Sequence, residues 1–344
     1  MKALVLALFV SVIQNPPVLS SPQEITKLVE FAKEAHVKVL FVQIYHAGQA
    51  WFPSGLADDS NYQKCRLKVG QDPLKLLIHQ AHAQGIEVHA WLNLMSLGTN
   101  ENAWLLKKYG TDILTRNLKT KESLVDYKID GAYFLEPGDP RVGDNLVKMV
   151  KEIVHAYPDL DGIQFDYIRY PDPSPHYGYT TINTERFMKA QHVKTIDDDS
   201  DVWKNWKRDQ VTQVLMRLCK TVRQMRPHMQ VSTTGCMPYA RAYYEAFQDW
   251  PSWLSTKLID FVTIMDYSTD PQQFVKWIDV IKEKTGDLSR VRIAVGAYKM
   301  TQMPETFEKE FQACKAIAGG CAIFHYGSLL ENPALKDILK DQQK

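Results

Sequence analysis

The feature that most constrains the fold is the regular alternation of short apolar segments with helical patterns along the chain. Strictly alternating strands and helices predict a parallel sheet, because a crossover between parallel strands is long enough to contain a helix. The helical patterns begin at capping sequences such as Ser21-Pro22-Gln23-Glu24, in which serine and proline occupy their preferred places at a helix start. Strands are predicted in this way at residues 37–44, 86–92, 160–165, 230–234, 258–265, 291–295 and 321–324.

The apolar run at residues 3–13 decides whether these strands close into a barrel. As a first strand it completes a (β/α)₈ barrel. The alternative is a secretory signal peptide, because Lys2 supplies the basic start, although residues 14–17 are not a small-residue cleavage site. The run is too short to span a membrane. We therefore expect one TIM-type barrel domain over residues 1–344, of the α/β class, in which the first strand pairs with both the second and the last.

The predicted connections differ in length at the two ends of the barrel. Connections from helix to strand are short, whereas those from strand to helix are long at residues 94–138, 171–201 and 235–250. In TIM-type barrels the strand-to-helix loops gather at the C-terminal face, where active sites are found. We therefore expect the functional site at that face, surrounded by long loops after strands three, four and five.

Residues 161–172, Asp-Gly-Ile-Gln-Phe-Asp-Tyr-Ile-Arg-Tyr-Pro-Asp, contain a strand that ends in chemically active side chains. An acid, Asp166, is followed by Tyr167, Arg169 and Tyr170, a combination that suits a cleft for a polar, ring-shaped ligand. The alternative for Asp166 is an ion pair or a helix cap, because charged residues are rarely buried unless they are paired. Arg169 either binds an anionic group of a substrate or only orients Asp166.

Other predicted strands also end in polar or aromatic side chains. On a closed parallel barrel these ends converge on one mouth. We predict that Tyr45, His89, Asn93, Arg169 and Tyr267 line one concavity with Asp166, while His89 and Trp91 have a core position as their alternative. The full set of candidates for substrate binding at these other strand ends is Tyr45, His46, His89, Trp91, Asn93, Thr233, Thr234, Tyr267, Lys299, His325 and Tyr326.

Carboxylates are the candidate catalytic groups. Glycoside hydrolysis uses two of them, one to protonate the leaving oxygen and one to attack the anomeric carbon or activate water. Asp166 and Asp266 form the first candidate pair, since both project from strand ends, and Glu136 is the substitute. The alternatives are a hydrogen-bond partner within the following turn for Asp266 and an ordinary loop residue for Glu136.

Composition and motifs exclude several classes of function. The formal net charge of +1, without a basic run, argues against a nucleic-acid partner. Glycine-rich phosphate loops and the Gly-x-Ser-x-Gly elbow are absent from the sequence. The five cysteines are scattered and show no disulfide framework, and no His/Asp cluster has metal-ligand spacing. We therefore expect neither a metal nor an organic cofactor. The 11% aromatic content suits stacking on sugars, although aromatic rings fill cores equally well.

A family resemblance is carried by segments between about residue 3 and about residue 330. These are Phe41-Val42-Gln43 with Gly48, Trp51-Phe52-Pro53-Ser54, Asp72-Pro73-Leu74, Val88-His89-Ala90-Trp91-Leu92-Asn93, Glu136-Pro137-Gly138-Asp139-Pro140-Arg141-Val142, Asp161-Gly162-Ile163-Gln164-Phe165-Asp166-Tyr167 and Ile259-Asp260-Phe261-Val262. On them the chain resembles the glycosyl hydrolase-like family 10 group of bacterial glycoside hydrolases.

The resemblance implies a TIM-type barrel whose strand-four aspartate, here Asp166, is the catalytic acid or nucleophile. It also places the first strand at residues 3–13, so that the export signal usual in the family would lie upstream of Met1 or be absent. The chain departs from the family pattern in three places. Many relatives have a second aspartate at Tyr167, an arginine at Tyr45, and an asparagine or aspartate at Glu136.

Two hypotheses of different class follow. The first is a hydrolase of O-glycosidic bonds in a polysaccharide or oligosaccharide, and the second is a non-catalytic carbohydrate-binding barrel. The orientation of Asp266 separates them, because the binding hypothesis gains if Asp266 points away from the mouth and no other acid faces Asp166. A metal-dependent hydrolase or deacetylase is disfavoured, because metal-ligand spacing is lacking.

Overall fold

A computed structural model describes residues 5–120, 123–317 and 319–341 of the chain. The strands are β1 (Leu6–Val10), β2 (Val39–His46), β3 (Gln49–Ala50), β4 (Glu87–Asn93), β5 (Ser96–Gly98), β6 (Tyr133–Phe134), β7 (Gly162–Asp166), β8 (Gln230–Cys236), β9 (Phe261–Asp266), β10 (Val291–Val295) and β11 (Cys321–Ile323).

Helices alternate with these strands, and five of them begin at a Ser, Asp or Asn cap followed directly by proline. The cap of the first helix is Ser21, whose hydroxyl accepts a hydrogen bond from the Glu24 N–H at 3.2 Å. The helices are α1 (Pro22–Glu34), α2 (Ser60–Val69), α3 (Pro73–His82), α4 (Trp104–Tyr109), α5 (Pro140–Ala156), α6 (Thr181–Gln191), α7 (Asp201–Met225), α8 (Tyr239–Tyr244), α9 (Trp250–Ser255), α10 (Pro271–Thr285), α11 (Pro304–Lys315), α12 (Tyr326–Glu331) and α13 (Pro333–Lys340).

Eight parallel strands close into a barrel in the order β1, β2, β4, β7, β8, β9, β10, β11. The closure is made by β1, in which Ala7 lies opposite Val39 of β2 and Leu6 lies opposite Cys321 of β11. This pairing confirms the predicted (β/α)₈ fold and the closing role of the first strand. Residues 3 and 4 of the predicted strand lie outside the described residues.

The strands carry two sets of buried side chains because their residues alternate between the two faces of the sheet. One set fills the barrel interior and includes Phe9, Phe41, Trp91 and Phe261. The other set, which includes Ile264, packs between the sheet and the surrounding helices. The interior positions at the C-terminal ends of the strands form the floor of the mouth.

The alternation is broken once in β2, next to the mouth. Gln43 lies opposite Trp91 in β4, but the next pair joins Tyr45 to Leu92. Ile44 is therefore an extra residue, a β-bulge. Because one extra residue exchanges the two faces of a strand, Tyr45 turns toward the helices and the residue after it turns into the barrel.

Long strand-to-helix segments surround the mouth. They contain β5, α4 and β6 after β4, α6 after β7, and α8 after β8. A further long segment, with β3 and α2, follows β2 and was not predicted. In the part of the chain that the structure covers, no helix has the length and apolar character needed to cross a membrane.

The structure contains one disulfide, although the spacing of the cysteines in the sequence shows no disulfide framework. Cys314 at the end of α11 is bonded to Cys321 at the start of β11, with 5.5 Å between the Cα atoms. The two cysteines are seven residues apart in the sequence, a spacing that matches no disulfide motif. Cys65, Cys219 and Cys236 are free and buried.

Candidate active site at the barrel mouth

Asp166 is the last residue of β7 and faces the barrel interior. Its Oδ2 accepts a hydrogen bond from the Trp91 indole N–H at 2.9 Å. Its Oδ1 accepts from the Thr234 hydroxyl at 2.5 Å and from the Tyr167 N–H at 2.7 Å. Only 4% of the residue is exposed. Three donors from three strand ends therefore hold the carboxylate in one orientation on the floor of the mouth.

Tyr167 directs the chain away from the strand directly after Asp166. Its φ of 53° lies in the left-handed region, which is uncommon for a residue with a side chain. Such conformations persist where the surrounding structure imposes them, and they cluster at functional sites. Here the turn points the Tyr167 N–H back at the carboxylate of Asp166 and leaves the phenol ring half-buried.

Gln43 joins the neighbouring strand ends to this floor. Its Oε1 accepts hydrogen bonds from the Ser11 hydroxyl at 2.8 Å and from the Val12 N–H at 3.1 Å. Its Nε2 donates to Asn93 Oδ1 at 2.9 Å and lies 3.3 Å from His46 Nδ1. Burial lowers the pKa of the His46 imidazole, and the Asp166 carboxylate partly offsets this. His46 and Asn93 are thus both brought to the mouth.

An arginine and a second carboxylate lie at the same face. The Arg169 guanidinium stacks 4.5 Å from the centre of the Tyr167 ring and forms an ion pair with Asp172 at 2.8 Å. Arg241 reaches the same carboxylate at 3.2 Å. Burial alone would lower the pKa of Arg169, but the nearby Cys236 thiol and Asp172 carboxylate outweigh it and the pKa is raised.

Aromatic rings form the opposite side of the mouth. Tyr267 packs against Phe324 with ring centres 5.2 Å apart, and against Tyr298 at 5.5 Å. Burial and the Asp166 carboxylate raise the pKa of Tyr267 well above its usual range. Lys299 lies at the rim, where its Nζ donates to the Tyr267 carbonyl at 3.1 Å. These rings offer faces on which a sugar can stack.

Asp266 is not brought to the mouth, which corrects the prediction that it faces Asp166. It follows the alternation of Ile264, which packs against the helices. The residue is fully buried, and neither carboxylate oxygen has a hydrogen-bond partner of good geometry within the described chain. Burial raises the pKa of its carboxyl to about 8, Glu310 of α11 adds to the shift, and the Ser268 N–H opposes it.

Glu136 and Tyr170 are also closed to a ligand. Both are fully buried, and the Tyr170 hydroxyl donates a hydrogen bond to Glu136 Oε1. The Gly138 N–H donates to the same oxygen at 3.0 Å. Burial raises the pKa of the Glu136 carboxyl against these two donors. The pair packs beside Phe247, whose ring lies 5.6 Å from that of Tyr170.

Five other candidates occupy structural positions. His89 is fully buried toward the opposite end of the barrel, where its Nε2 lies 3.3 Å from Glu87 Oε2. Tyr45 is turned toward the helices by the bulge, and Tyr326 packs on Phe31 of α1. The remaining positions are Thr233, which is buried one residue before the Thr234 that contacts Asp166, and His325, whose Nδ1 caps α12 by accepting the Gly327 N–H.

The structure therefore places Asp166, Trp91, Asn93, His46, Tyr167, Arg169 and Tyr267 around one mouth, with Lys299 at its rim. Gln43, Asp172 and Phe324 belong to this set and were not predicted as site residues. The signal for Gln43 was a polar side chain in an apolar strand, three residues before the end of β2. No group of three or more His, Cys, Asp or Glu side chains is arranged to hold a metal ion anywhere in residues 5–120, 123–317 and 319–341.

Sequence comparisons relate most of the chain to bacterial proteins. The family model described as Glycosyl hydrolase-like 10 matches residues 8–313. The glycosyl hydrolase DigH of Escherichia coli strain K12 is 24% identical over 300 residues, which cover 80% of this chain and 65% of DigH. The glycosyl hydrolase YngK of Bacillus subtilis strain 168 is 25% identical over 262 residues, covering 71% of this chain and 49% of YngK. The chain thus spans less than two thirds of the length of either relative.

Solved structures with the same fold include two glycosidases. The catalytic domain of β-amylase from Paenibacillus polymyxa superposes with a TM-score of 0.60 at 11% identity, covering 99% of this chain and 98% of that one. The β-galactosidase from Bacillus circulans sp. alkalophilus gives a TM-score of 0.62 at 12% identity, with 94% and 50% covered. At these identities the likeness concerns the fold alone.

Proposed function

The chain belongs to the glycosyl hydrolase-like 10 family, and from this premise we propose that it is a glycoside hydrolase whose site is the mouth around Asp166. The observation that carries the proposal is a carboxylate held by three donors at the C-terminal mouth of a TIM-type barrel. This is the face on which such barrels build their active sites. The aromatic rings around Tyr267 supply surfaces for the apolar faces of a sugar.

In this proposal Asp166 contacts the sugar at the bond to be broken. A carboxylate in that position either attacks the anomeric carbon or activates a water molecule. Its three donors keep it aimed at one point, so no reorganisation is needed during the reaction. We propose a polysaccharide as the substrate, because long strand-to-helix segments surround the mouth and can contact several sugar units.

We propose a different residue as the second carboxylate, because Asp266 and Glu136 are buried away from the mouth. Asp172 is the candidate. It lies on the loop that follows Asp166, and both carboxylates act on the pKa values of Tyr167 and Cys236. Its ion pairs with Arg169 and Arg241 hold it at this face.

A non-catalytic carbohydrate-binding barrel is the second candidate function. The observation that favours it is the position of Asp266, which leaves Asp166 without the partner that the sequence predicted. Both candidates use the same mouth and the same rings. They differ in whether a bound sugar is cleaved.

A screen of hydrolysis against a panel of bacterial polysaccharides tests the proposal, with new reducing ends as the readout and Asp166→Asn as the control. We expect one polysaccharide to be cleaved by the wild type. The rate of hydrolysis by Asp166→Asn should be lower by about 10²-fold or more, since acid–base catalysis alone typically increases a rate by about 10²–10⁴-fold. A loss below about tenfold would remove Asp166 from the mechanism. Saturable binding of a polysaccharide without any cleavage would instead establish the carbohydrate-binding barrel.

Asp172→Asn tests the second role on the same polysaccharide. We expect kcat to fall by about 10²-fold, the lower range for losing one acid or base. Arg241→Gln is the matched control, because it breaks one ion pair of Asp172 but leaves the carboxylate in place. Equal losses in the two variants would show that Asp172 acts only by holding the loop.

A further inference from the structure

The side-chain amide of Gln43 has one possible orientation. The Val12 N–H is a backbone donor and cannot accept, so the Gln43 atom 3.1 Å from it must be the oxygen. The Ser11 hydroxyl lies 2.8 Å from the same atom. The amide nitrogen of Gln43 therefore faces the other way, toward the mouth.

Two acceptors receive the hydrogens of that nitrogen. Asn93 Oδ1 lies 2.9 Å from Gln43 Nε2, and His46 Nδ1 lies 3.3 Å from it. An Asn93 amide turned the other way would oppose two donors, and so would a His46 ring with its proton on Nδ1. Asn93 must therefore direct its nitrogen away from Gln43, and the neutral His46 ring must carry its proton on Nε2.

We propose that Gln43 is a positioning residue that fixes His46 as the Nε2–H tautomer and Asn93 with its amide nitrogen outward, so that the mouth presents N–H donors beside the Asp166 carboxylate. Neither His46 Nε2 nor Asn93 Nδ2 has a hydrogen-bond partner in the described chain, and neither nitrogen is completely buried. Burial of the imidazole favours its neutral form, in which Nε2–H can donate while Nδ1 accepts.

This arrangement predicts a class of ligand, and in that respect it rests on the proposed function. The donors on His46 and Asn93 recognise oxygen acceptors, and the carboxylate of Asp166 recognises hydroxyl hydrogens. A sugar ring with free hydroxyls beside the scissile bond offers both. An analogue that lacks those hydroxyls would leave the donors unpaired and be bound less tightly.

The tautomer can be measured without any ligand, by long-range ¹H–¹⁵N correlation spectra of the imidazole rings at a pH above the pKa of His46. We expect wild-type His46 to carry its proton on Nε2. A proton on Nδ1 would overturn the inference. This measurement needs no variant, so a failure of any variant to fold does not affect it.

Gln43→Glu reverses the polarity at the contact with His46. A carboxylate can still accept from Ser11 and Val12, but toward His46 it can only accept, so we expect a proton on Nδ1. Gln14→Glu is the matched control, because Gln14 is similarly buried (5% exposed, against 2% for Gln43) but contacts neither His46 nor Asn93. It follows the neighbouring strand β1, close to the Ser11 and Val12 that bind Gln43. Retention of the Nε2–H tautomer in Gln43→Glu would show that Gln43 does not set it.

Kinetics link the tautomer to function on a polysaccharide that the wild type cleaves. We expect kcat/KM to fall by about tenfold or more in both Gln43→Glu and the uncharged Gln43→Met, because preorganised donors are lost. Gln14→Glu should retain the wild-type value. Unchanged kcat/KM in both Gln43 variants would contradict the positioning role. If no polysaccharide is cleaved at all, the proposed function fails, whereas the spectra still decide the orientation of Gln43.

Discussion

At the scale of single residues, Asp166 shows how a carboxylate is held where every neighbour donates. The Trp91 indole N–H and the Tyr167 N–H can only donate hydrogen bonds. They reach different oxygens of Asp166, so each carboxylate oxygen must act as an acceptor. An asparagine at this position has the same shape but only one acceptor oxygen. The substitution therefore changes more than the chemistry of the reaction.

We predict that Asp166→Asn lowers the free energy of unfolding by about 1–3 kcal/mol, the cost of a buried donor without an acceptor. The oxygen of the asparagine can serve Thr234 and Tyr167, which leaves its nitrogen against the Trp91 N–H. Chemical denaturation measures the loss. Trp91→Phe removes the opposing donor. We therefore expect Trp91→Phe to lower the free energy of unfolding less in the Asp166→Asn protein than in the wild type. Equal costs in the two backgrounds would argue against the Trp91 contact.

At the scale of elements, the packing of α11 on β10 and β11, beside the end of β9, encloses two carboxyl groups. Asp266 and Glu310 are fully buried, and burial raises the pKa of Asp266 to about 8, with a smaller contribution from Glu310. Burial likewise raises the pKa of Glu310 to about 8, with a contribution from Asp270. Both side chains therefore hold a proton in the folded protein at neutral pH, whereas in the unfolded chain they release it near their ordinary values.

We predict that these groups make the protein less stable as the pH rises between about 4 and about 8, because the folded state binds the protons that the unfolded state has lost. Asp266→Asn removes the contribution of one group. Its free energy of unfolding relative to the wild type should rise by up to about 1.4 kcal/mol per pH unit within that window.

Thermal or chemical unfolding at a series of pH values measures this slope. Glu310→Gln should act in the same direction. Glu283→Gln is the control, because the side chain of Glu283 is 71% exposed on α10. A difference between Asp266→Asn and the wild type that does not change with pH would contradict the burial of a neutral carboxyl. Because Asp266 lies outside the mouth, we also expect Asp266→Asn to keep any hydrolytic activity.

At the scale of the whole molecule, the barrel interior connects its closure to the mouth. Phe9 of the first strand packs 4.8 Å from Phe41, 5.1 Å from Trp91 and 5.4 Å from Phe324, measured between ring centres. Trp91 donates to Asp166, and Phe324 belongs to the aromatic side of the mouth. The strand that closes the barrel therefore also supports the floor of the candidate site.

We predict that Phe9→Ala lowers the free energy of unfolding by about 3–5 kcal/mol, the usual cost of removing a buried phenylalanine ring. Phe9→Leu should cost clearly less, because it leaves a smaller cavity. Denaturant unfolding with tryptophan fluorescence measures both losses. We also expect Phe9→Ala to lower any hydrolytic activity, since the cavity borders Trp91. Wild-type stability in Phe9→Ala would show that β1 does not seal the interior as described.

Much of the fold was predictable because its signals are local. The caps at Ser21 and Asp72, the apolar strands and their strict alternation with helices depend on neighbouring residues, and they implied a parallel barrel. In a parallel barrel all strands end at the C-terminal face, so the polar residues at the strand ends could be assigned to that face. Asp166 was identified in this way, as the polar end of an apolar strand.

The tertiary structure decided which polar residues at the strand ends reach the mouth. Side chains alternate with a period of two, so one bulged residue, Ile44, turns Tyr45 outward and His46 inward. The register of β9 places Asp266 against the helices, and loop packing buries Glu136 against Tyr170. These outcomes depend on pairings between residues far apart in the chain, which no local pattern records. The sequence by itself therefore determined the barrel and the end at which its site lies, and the long-range register determined which side chains form it.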